Sequence, residues 1–401
     1  MSVDTAPSLD SDVQLVDTLT AELMAEFPPA TTSDLAFLGA QYDRGLAWVH
    51  FPVGFGGLGL TPKHQGTINE RIRDAGGPFS AMKNPIGHGM GAPTVVTWGS
   101  DDQKKRYLRP MFTGEEIWCQ LFSEPGAGSD VAGLSSRAIR DGDEWIVNGQ
   151  KVWTTLAHVS RWGMLVARTD PQAEKHKGLS YFVVDMHAPG VEVRPLRQMT
   201  GDAEFNEVYF TDVRIPDSER MGAVGDGWRV SLTTLMNERV SIGGAVAPRG
   251  SGPIGQIVKL YKQYGHDDAA IKDEMMKLWC AAEAARLTNI RAASNRKVGT
   301  PGPEGSTGKL AFAEINQKIL EFGMNLMGAD AMLYGDYSMR RPDEVGMFAG
   351  TLQRSFLRSR ANSIEGGTSE VMRNILGERV LGLPGDVRVD KARPWLDVPR
   401  N

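Results

Sequence analysis

Two glutamates have the chemistry and the setting of a base that removes a proton. Glu238 lies in Trp228–Val246, whose apolar residues recur at helical spacing, and it falls at the edge of the apolar face. That face consists of Leu232, Leu235, Met236, Val240 and Ile242, and Arg239 falls inside it. A carboxylate beside an apolar face is costly unless it is paired, and burial raises its pKa. Two interpretations of Glu238 therefore remain open: a structural ion pair, or a base with a raised pKa.

The second glutamate, Glu365, stands immediately before a Gly366-Gly367 turn. The residues Thr368 to Glu370 that follow have the pattern of an N-cap that opens a helix. A helix N-terminus beside a glycine turn can bind an anion. Simple capping explains Thr368 to Glu370 but not Glu365, for which solvation is the alternative to a functional role.

Two further segments have residue types that suit a flat cofactor. Gly126, Gly128 and Ser129 form a small-residue turn in the segment CQLFSEPGAGS, and their amides could face a ring or a phosphate. A plain loop between domains is the alternative. Downstream, Trp153-Thr154-Thr155 ends a predicted strand, where an indole can stack on a heterocycle and a hydroxyl can bond a ring atom. Taken alone, Trp153 is more typical of core filler.

The stretch Gly54–Gly59 matches the GxGxxG pattern of dinucleotide-binding loops. Pro52 interrupts the apolar stretch before it, and Pro62 follows closely. Because no alternating strand–helix pattern comes after it, this context favours a plain glycine-rich turn.

The elements that must position these residues fall into three blocks. Residues 1–118 show helical spacing, residues 119–222 show short strands, and residues 223–401 show long helices followed by a polar tail. Asp141-Gly142 and Asn148-Gly149 favour hairpin turns between strands. The predicted strands are Ser136–Arg140, Glu144–Val147, Lys151–Thr155, Met164–Ala167, Tyr181–Val184, Val191–Pro195 and Glu207–Phe210. The predicted later helices are Trp228–Val246, Asp267–Arg296, Lys309–Tyr334, one near Gly346–Arg360, and Ser369–Leu381.

Length and composition restrict the class of protein. A chain of 401 residues is too long for one ordinary core, and its net charge of -5 gives no support for nucleic-acid binding. Two cysteines, Cys119 and Cys280, exclude a disulfide framework or zinc ribbon, and the seven histidines show no close ligand spacing. No apolar run approaches 18 residues, so we expect no membrane span. The polar, acidic N-terminus is unlike a signal peptide, and a reducing cytoplasmic location is expected.

These motifs resemble the acyl-CoA dehydrogenase family over nearly the whole chain. The resemblance is carried by SEPGAGSD at 123–130, NGQKVWTT at 148–155, EVYFTDVRIP at 207–216, Asn237-Glu238-Arg239, and EGGTSEVMRNILGERVLGL at 365–383. It implies an α+β fold with an N-terminal helical domain, a middle antiparallel β-barrel-like domain and a C-terminal four-helix bundle. That order agrees with the α–β–α order read from the spacing. The resemblance is to bacterial members, including those that degrade steroid side chains and fatty acids.

The resemblance also implies a cofactor, FAD, between the β domain and the bundle. Its ring is then lined by residues of Gln120–Ser129 and Trp153–Thr155, with Thr368 near the flavin and with Ser129 and Arg239 bordering the acyl-CoA pocket. The cofactor-lining residues implied are Gln120, Leu121, Phe122, Ser123, Gly128, Ser129, Trp153, Thr154, Thr155 and Thr368. The implied reaction is α,β-desaturation of a thioester: a carboxylate removes the α-proton and a hydride leaves Cβ for flavin N5.

The family places its base at one of two positions. In the commonest members a Glu directly precedes Gly-Thr-Ser, but here Gly366 occupies that position and Glu365 lies one residue early. Isovaleryl and long-chain members use a Glu just before Arg on the first bundle helix, which Glu238-Arg239 matches without a gap. We therefore expect Glu238 to be the base, with Glu365 in reserve.

One departure concerns the partner subunit. Most members carry Arg-x-x-Phe-Gly followed by Gln, which clamps the FAD of a neighbouring subunit, and residues 247–270 lack it. Some bacterial relatives pair two unlike subunits, so a heteromer with a second acyl-CoA dehydrogenase subunit stands beside a homo-oligomer. The expected electron acceptor is electron-transfer flavoprotein. The alternatives are an acyl-CoA oxidase, a non-catalytic subunit that completes a partner's site, and, distantly, a nicotinamide enzyme.

Overall fold

The N-terminal part of the chain is helical, as predicted. The computed structural model describes residues 9–243, 248–264, 267–296, 305–343, 350–385 and 387–399. Ser33 caps α2, a capping box of Ser100 and Gln103 opens α5, and Gly114 ends α5 in the left-handed conformation. The helices of this part are α1 (Leu9–Glu26), α2 (Asp34–Asp43), α3 (Gln65–Asp74), α4 (Ala92–Trp98) and α5 (Asp101–Thr113). Gly54–Gly59 is a loop, where the Trp48 amide donates to the Gly56 carbonyl, so the plain-turn interpretation is confirmed.

The middle part is one open sheet of eight strands, in the order β6-β7-β3-β2-β4-β5-β8, with β1 paired to β4. The strands are β1 (Trp118–Leu121), β2 (Arg137–Asp141), β3 (Glu144–Thr155), β4 (Trp162–Arg168), β5 (Leu179–Asp185), β6 (Val191–Pro195), β7 (Phe205–Pro216) and β8 (Arg220–Met221). Most pairs are antiparallel, as predicted, but β4 pairs in parallel with β1 and β2. The sheet does not close, because its end strands β6 and β8 are not paired with each other.

One of the two predicted hairpins is wrong. Gly142 and Asp143 form the turn between β2 and β3, which confirms the first. Asn148-Gly149 instead lies inside β3, at a shift in register against β7. Gly149 suits that bulge because its missing side chain leaves room for Ser136, whose Oγ would lie 2.2 Å from an added Cβ. The predicted strands Glu144–Val147 and Lys151–Thr155 are consequently a single strand.

Six helices are described in the C-terminal part, and α9 contacts each of the other five. They are α6 (Gly227–Gly243), α7 (Pro253–Tyr264), α8 (Ala269–Arg296), α9 (Gly305–Met327), α10 (Leu352–Ser359) and α11 (Ser369–Ile375). The sequence did not predict α7, and the predicted last helix continues from α11 as a π-helix over Leu376–Val380. Residues 244–246 of the predicted first helix and 344–349 near the predicted fourth lie outside the described residues.

The buried face of α6 includes residues outside the predicted apolar face. Val230, Ser231 and Thr234 are buried, whereas Leu232 and Met236 of the predicted face are 40% and 50% exposed. The Thr234 hydroxyl lies 2.9 Å from that of Thr94, which joins α6 to α4. Apolar periodicity does not reveal such hydroxyl contacts.

Of the rest of the predicted face, Leu235 is half-buried and packs against the core, and the side chains of Val240 and Ile242 lie outside the described residues. No helix of the described residues is long and apolar enough to cross a membrane.

Candidate active site

The Gln120–Ser129 segment is tied to β3 at its centre. The Lys151 ammonium donates to the Phe122 carbonyl at 3.0 Å and to Glu124 Oε1 at 2.9 Å. The Val152 amide donates to the Ser123 carbonyl at 2.9 Å. Hydrogen bonds from Lys151 and Val152, which directly precede Trp153, thus hold together the two segments that the resemblance places around the flavin ring, 120–129 and 153–155.

The pair Lys151–Glu124 is a buried ion pair. Burial lowers the pKa of Lys151 below its usual range, and Glu124 opposes that shift. Burial alone would raise the pKa of Glu124, but Lys151 and bonds from Ser135 and Ser136 hold it below its ordinary value. The Glu124 carboxylate accepts the amides of Ser135 and Ser136 at 2.7 and 2.9 Å. The pair therefore closes the base of the loop, while Gly128 and Ser129 at its tip are exposed.

Trp153 does not fill the core. Its side chain is 56% exposed, its backbone has φ 61°, and its ring meets that of Phe205 edge-on at 5.8 Å. A non-glycine residue at positive φ is uncommon and is typical of functional sites. Thr154 is fully buried, and within the described residues its Oγ1 has no hydrogen-bond partner. Thr155 is half-buried and pairs with Phe205 in the sheet.

These residues suit a flat heterocycle such as the isoalloxazine of FAD. An exposed indole beside a hydroxyl-bearing strand end offers a stacking face and polar atoms. At Gly126 and Gly128 nothing lies within 4 Å of an added Cβ, so a ligand can approach the backbone there. Gln120 is half-buried, and Leu121 and Phe122 are buried beneath the loop.

Glu238 lies in the C-terminal half of α6, and its side chain is half-buried. The ammonium of Lys309, on α9, interacts electrostatically with Glu238 and with Glu365. Both candidate bases therefore lie in the electrostatic field of one buried cation. The side chain of Arg239 lies outside the described residues.

Glu365 is paired, not solvated. Its Oε1 accepts from Arg358 Nη1 at 3.1 Å and from Asn362 Nδ2 at 3.0 Å, and its Oε2 accepts from Arg358 Nη2 at 2.8 Å. Nearby, Thr368 caps α11 by accepting the Val371 amide at 3.1 Å, as predicted. Both oxygens of Glu365 are thus occupied by donors.

A chain of contacts joins the exposed Trp153 on β3 to the ion pair of Glu365. The Arg358 guanidinium lies 5.5 Å from the centre of the Phe205 ring, and Phe205 contacts Trp153. The exposed indole on β3 and the ion pair at Glu365 therefore share one neighbour. Arg358 and Phe205 were not among the predicted site residues, because nothing in their local sequence distinguishes them from an ordinary basic helix residue and an ordinary strand aromatic.

Lys309 and Lys151 were also missed. Both are buried lysines, which are rare, but the sequence alone does not reveal burial of a single lysine. Among the described residues no group of three or more His, Cys, Asp or Glu side chains could hold a metal ion.

The chain belongs to the acyl-CoA dehydrogenase family. Profiles of the family's N-terminal, middle and C-terminal domains match residues 16–115, 119–213 and 225–381, respectively. The resemblance inferred from the motifs is therefore confirmed. The family is generally FAD-dependent and consists of oxidoreductases.

Similar proteins include two from Mycobacterium tuberculosis. Acyl-CoA dehydrogenase FadE34 is 39% identical over 349 residues, which are 86% of this chain but 46% of FadE34, so the chain spans about half the length of that relative. Acyl-CoA dehydrogenase IpdE1 is 37% identical over 347 residues, which are 86% of both chains. A chain of the ChsE4–ChsE5 complex, also from M. tuberculosis, matches with a TM-score of 0.68 and 26% identity over 96% of this chain and 100% of that chain.

Proposed function

We propose that the protein is an FAD-dependent acyl-CoA dehydrogenase in which Glu238 removes the α-proton. The observation that carries this assignment is the position of Glu238 on α6, directly before Arg239, which matches the position that isovaleryl and long-chain members use for their base. Glu238 is half-buried and lies in the electrostatic field of the buried Lys309 ammonium. Glu365 stands one residue early for the alternative position, and its two oxygens accept hydrogen bonds from Arg358 and Asn362 in a structural ion pair.

Each of the remaining site residues has a role in this proposal. FAD, when bound, supplies the acceptor for the hydride that leaves Cβ. Trp153 offers a stacking face and Thr155 a hydroxyl at its edge, and the Gln120–Ser129 loop presents its backbone. Ser129 and Arg239 border the acyl-CoA. Glu238 takes the proton from Cα, so the substrate loses one proton and one hydride and gains a double bond.

We further propose that the protein works with a second subunit and passes electrons to electron-transfer flavoprotein. The second subunit is supported by the missing Arg-x-x-Phe-Gly motif. In the segment where that motif is expected, Arg249 is exposed and its guanidinium lies 3.7 Å from the Glu283 carboxylate. The electron acceptor follows from the family resemblance. A homo-oligomer, which the resemblance equally allows, would have to clamp FAD with other residues. The similarity to a chain of the ChsE4–ChsE5 complex also favours an unlike partner. For the three domains we propose the limits 1–118, 119–222 and 223–401.

A comparison of Glu238→Gln with Glu365→Gln tests the base. Each variant is mixed anaerobically with a panel of acyl-CoAs, from short chains to steroid side-chain thioesters, and the loss of oxidised-flavin absorbance is followed. We expect Glu238→Gln to slow bleaching by about 10²- to 10⁴-fold, the usual contribution of a general base, with flavin content unchanged. Glu365→Gln should retain bleaching within about tenfold. Normal bleaching in Glu238→Gln would refute the assignment, and the reverse pattern would transfer it to Glu365.

Two further measurements test the proposed partner and the proposed electron acceptor. The flavin content of the chain expressed alone is compared with that of the chain expressed with a second subunit, which distinguishes a self-sufficient oligomer from a heteromer. Full occupancy when expressed alone would argue against the heteromer. Hydrogen peroxide formation during turnover in air would favour the oxidase alternative.

A further inference from the structure

A buried lysine holds the turn that carries Glu365. Lys309 lies in the second turn of α9 and is 2% exposed. Its ammonium donates to the Asn362 carbonyl at 2.9 Å and to the Gly367 carbonyl. Taking an ammonium out of water costs several kcal/mol unless acceptors and opposite charges replace the lost solvent. Its placement between the two ends of one short turn is therefore a specific feature of this site.

Two more residues on the same face of α9 donate hydrogen bonds to residues 359–363, at and before the turn. Asn316, seven residues after Lys309, donates to Asn362 Oδ1 at 2.8 Å. Gln317 donates to the Ser359 carbonyl at 3.0 Å and to Ser363 Oγ at 3.1 Å. Residues seven or eight apart lie on one face of a helix, so α9 presents a row of polar donors to residues 359–367. Of the three, Lys309 is the one with a charge.

The backbone of the turn needs this support. Gly366 and Gly367 have φ 64° and 92°, in the left-handed region that glycine adopts readily. Glycines also lose the most conformational freedom on ordering, so a Gly-Gly turn stays in one shape only when contacts hold it. The Lys309 bond to the Gly367 carbonyl holds the residue just before the Thr368 cap of α11.

The charges around Lys309 come from three different elements. The Lys309 ammonium interacts electrostatically with Glu365 in the turn, Glu238 on α6 and Glu370 in the first turn of α11. Burial lowers the pKa of Lys309, and these three carboxylates oppose that shift. Glu365 also has Arg358 as a partner. The carboxylates thus help to keep a cation at the point where Lys309 donates to the turn.

We propose that Lys309 is a positioning residue, which anchors the Asn362–Gly367 turn and so holds the Thr368 cap where the proposed function needs it, near the flavin. The inference rests on the proposed function for the place of Thr368 only. The anchoring of the turn concerns the protein before any substrate is added.

The variants Lys309→Met and Lys309→Arg test the anchoring, with Lys318→Met as the control. Lys318 lies on the same helix but is exposed. In Lys309→Met, hydrogen exchange of the amides in residues 362–371 should accelerate at least about tenfold, and flavin reduction should slow by about ten- to a hundredfold. Lys318→Met should match the wild type in each measurement.

Lys309→Arg keeps a cationic donor in a larger head group, so its hydrogen exchange at 362–371 should lie between that of the wild type and that of Lys309→Met. This variant remains available if Lys309→Met does not fold. Wild-type exchange at 362–371 in a folded Lys309→Met, or exchange in Lys309→Arg no faster than in Lys318→Met, would overturn the anchoring role. If no acyl-CoA bleaches the wild type, the proposed function fails, whereas the exchange comparison still decides the anchoring.

Discussion

Arg358 and Glu365 face each other in a two-point ion pair, with nitrogen–oxygen distances of 3.1 and 2.8 Å. The Arg358 side chain is 5% exposed and also lies 3.8 Å from Glu204, which is equally buried. A planar guanidinium matches a carboxylate at both oxygens, and this geometry gives direction as well as energy. One buried cation thus fixes the reserve base, the end of α10 and the start of β7.

Replacing Arg358 should unfold this corner more than it changes the local charge. In Arg358→Met, Glu204 and Glu365 lose their shared cation, and we expect the free energy of unfolding to fall by about 3 kcal/mol, as when one partner of a buried pair is removed. Urea unfolding monitored by circular dichroism measures the change. Arg373→Met is the matched control: its pair with Glu314 is half-exposed and should contribute less than about 1 kcal/mol. An equal loss in both variants would contradict the importance of burial.

The order of elements could be predicted because it depends on periodicity along the chain. Helical spacing in the two outer blocks and short alternating runs in the middle suffice to separate them. The prediction of a hairpin at Asn148-Gly149 was wrong because this dipeptide also fits a β-bulge. Only the pairing of β3 with β7 decides between a hairpin turn and a bulge. The hydroxyl contact between α6 and α4 was missed because apolar periodicity does not register buried threonines.

Some residues of the candidate site could likewise be predicted from the sequence, and others could not. Trp153, Glu238 and Thr368 belong to contiguous motifs that the sequence displays. Lys309 and Arg358 act on residues 53 and 7 positions away, respectively, and their partners are known only once α9, α10 and the turn have packed together. Contacts of this kind depend on tertiary packing, which no local pattern encodes.

The exposed Trp153 should matter more for the cofactor than for folding. Trp153→Gly removes an indole that is 56% exposed and relieves a backbone at φ 61°, so the lost contact with Phe205 and the relieved strain should nearly cancel. We expect the free energy of unfolding of the flavin-free protein to change by less than about 1 kcal/mol. FAD should bind to Trp153→Gly about tenfold more weakly than to the wild type, and the affinity of Trp153→Phe should lie between those of the other two proteins. Titration of flavin-free protein with FAD measures the affinity; equal affinity in all three proteins would exclude stacking.

His88 should make stability depend on acid. Its ring packs against Trp48 and Phe112, and burial lowers its pKa to about 4, although a bond to the Phe112 carbonyl opposes the shift. The folded protein therefore keeps His88 neutral down to about pH 4, whereas the unfolded chain takes up the proton near pH 6.5. Between these values the unfolded state binds more protons, so stability falls as the pH falls.

This loss should amount to at most about 3 kcal/mol between pH 6.5 and 4. His88→Gln keeps an amide donor for the Phe112 carbonyl but does not titrate, so its contribution to the slope should vanish. Urea midpoints at several pH values test this, with the exposed His187→Gln as the control. The same slope in His88→Gln as in the wild type would show that other groups cause the acid sensitivity.

The buried pair of Lys151 and Glu124 should determine whether the Gln120–Ser129 loop is ordered. In Lys151→Met the Phe122 carbonyl loses a donor and Glu124 is left buried without its cation, so we expect a loss of about 3 to 5 kcal/mol in the free energy of unfolding. Adding Glu124→Gln to that variant removes the uncompensated charge and should restore part of the loss, because the carboxylate is the costly group. Lys177→Met, which removes an exposed pair with Glu174, should change stability by less than about 1 kcal/mol. A double variant no more stable than Lys151→Met alone would mean that the hydrogen bond to Phe122, and not the charge on Glu124, holds the loop.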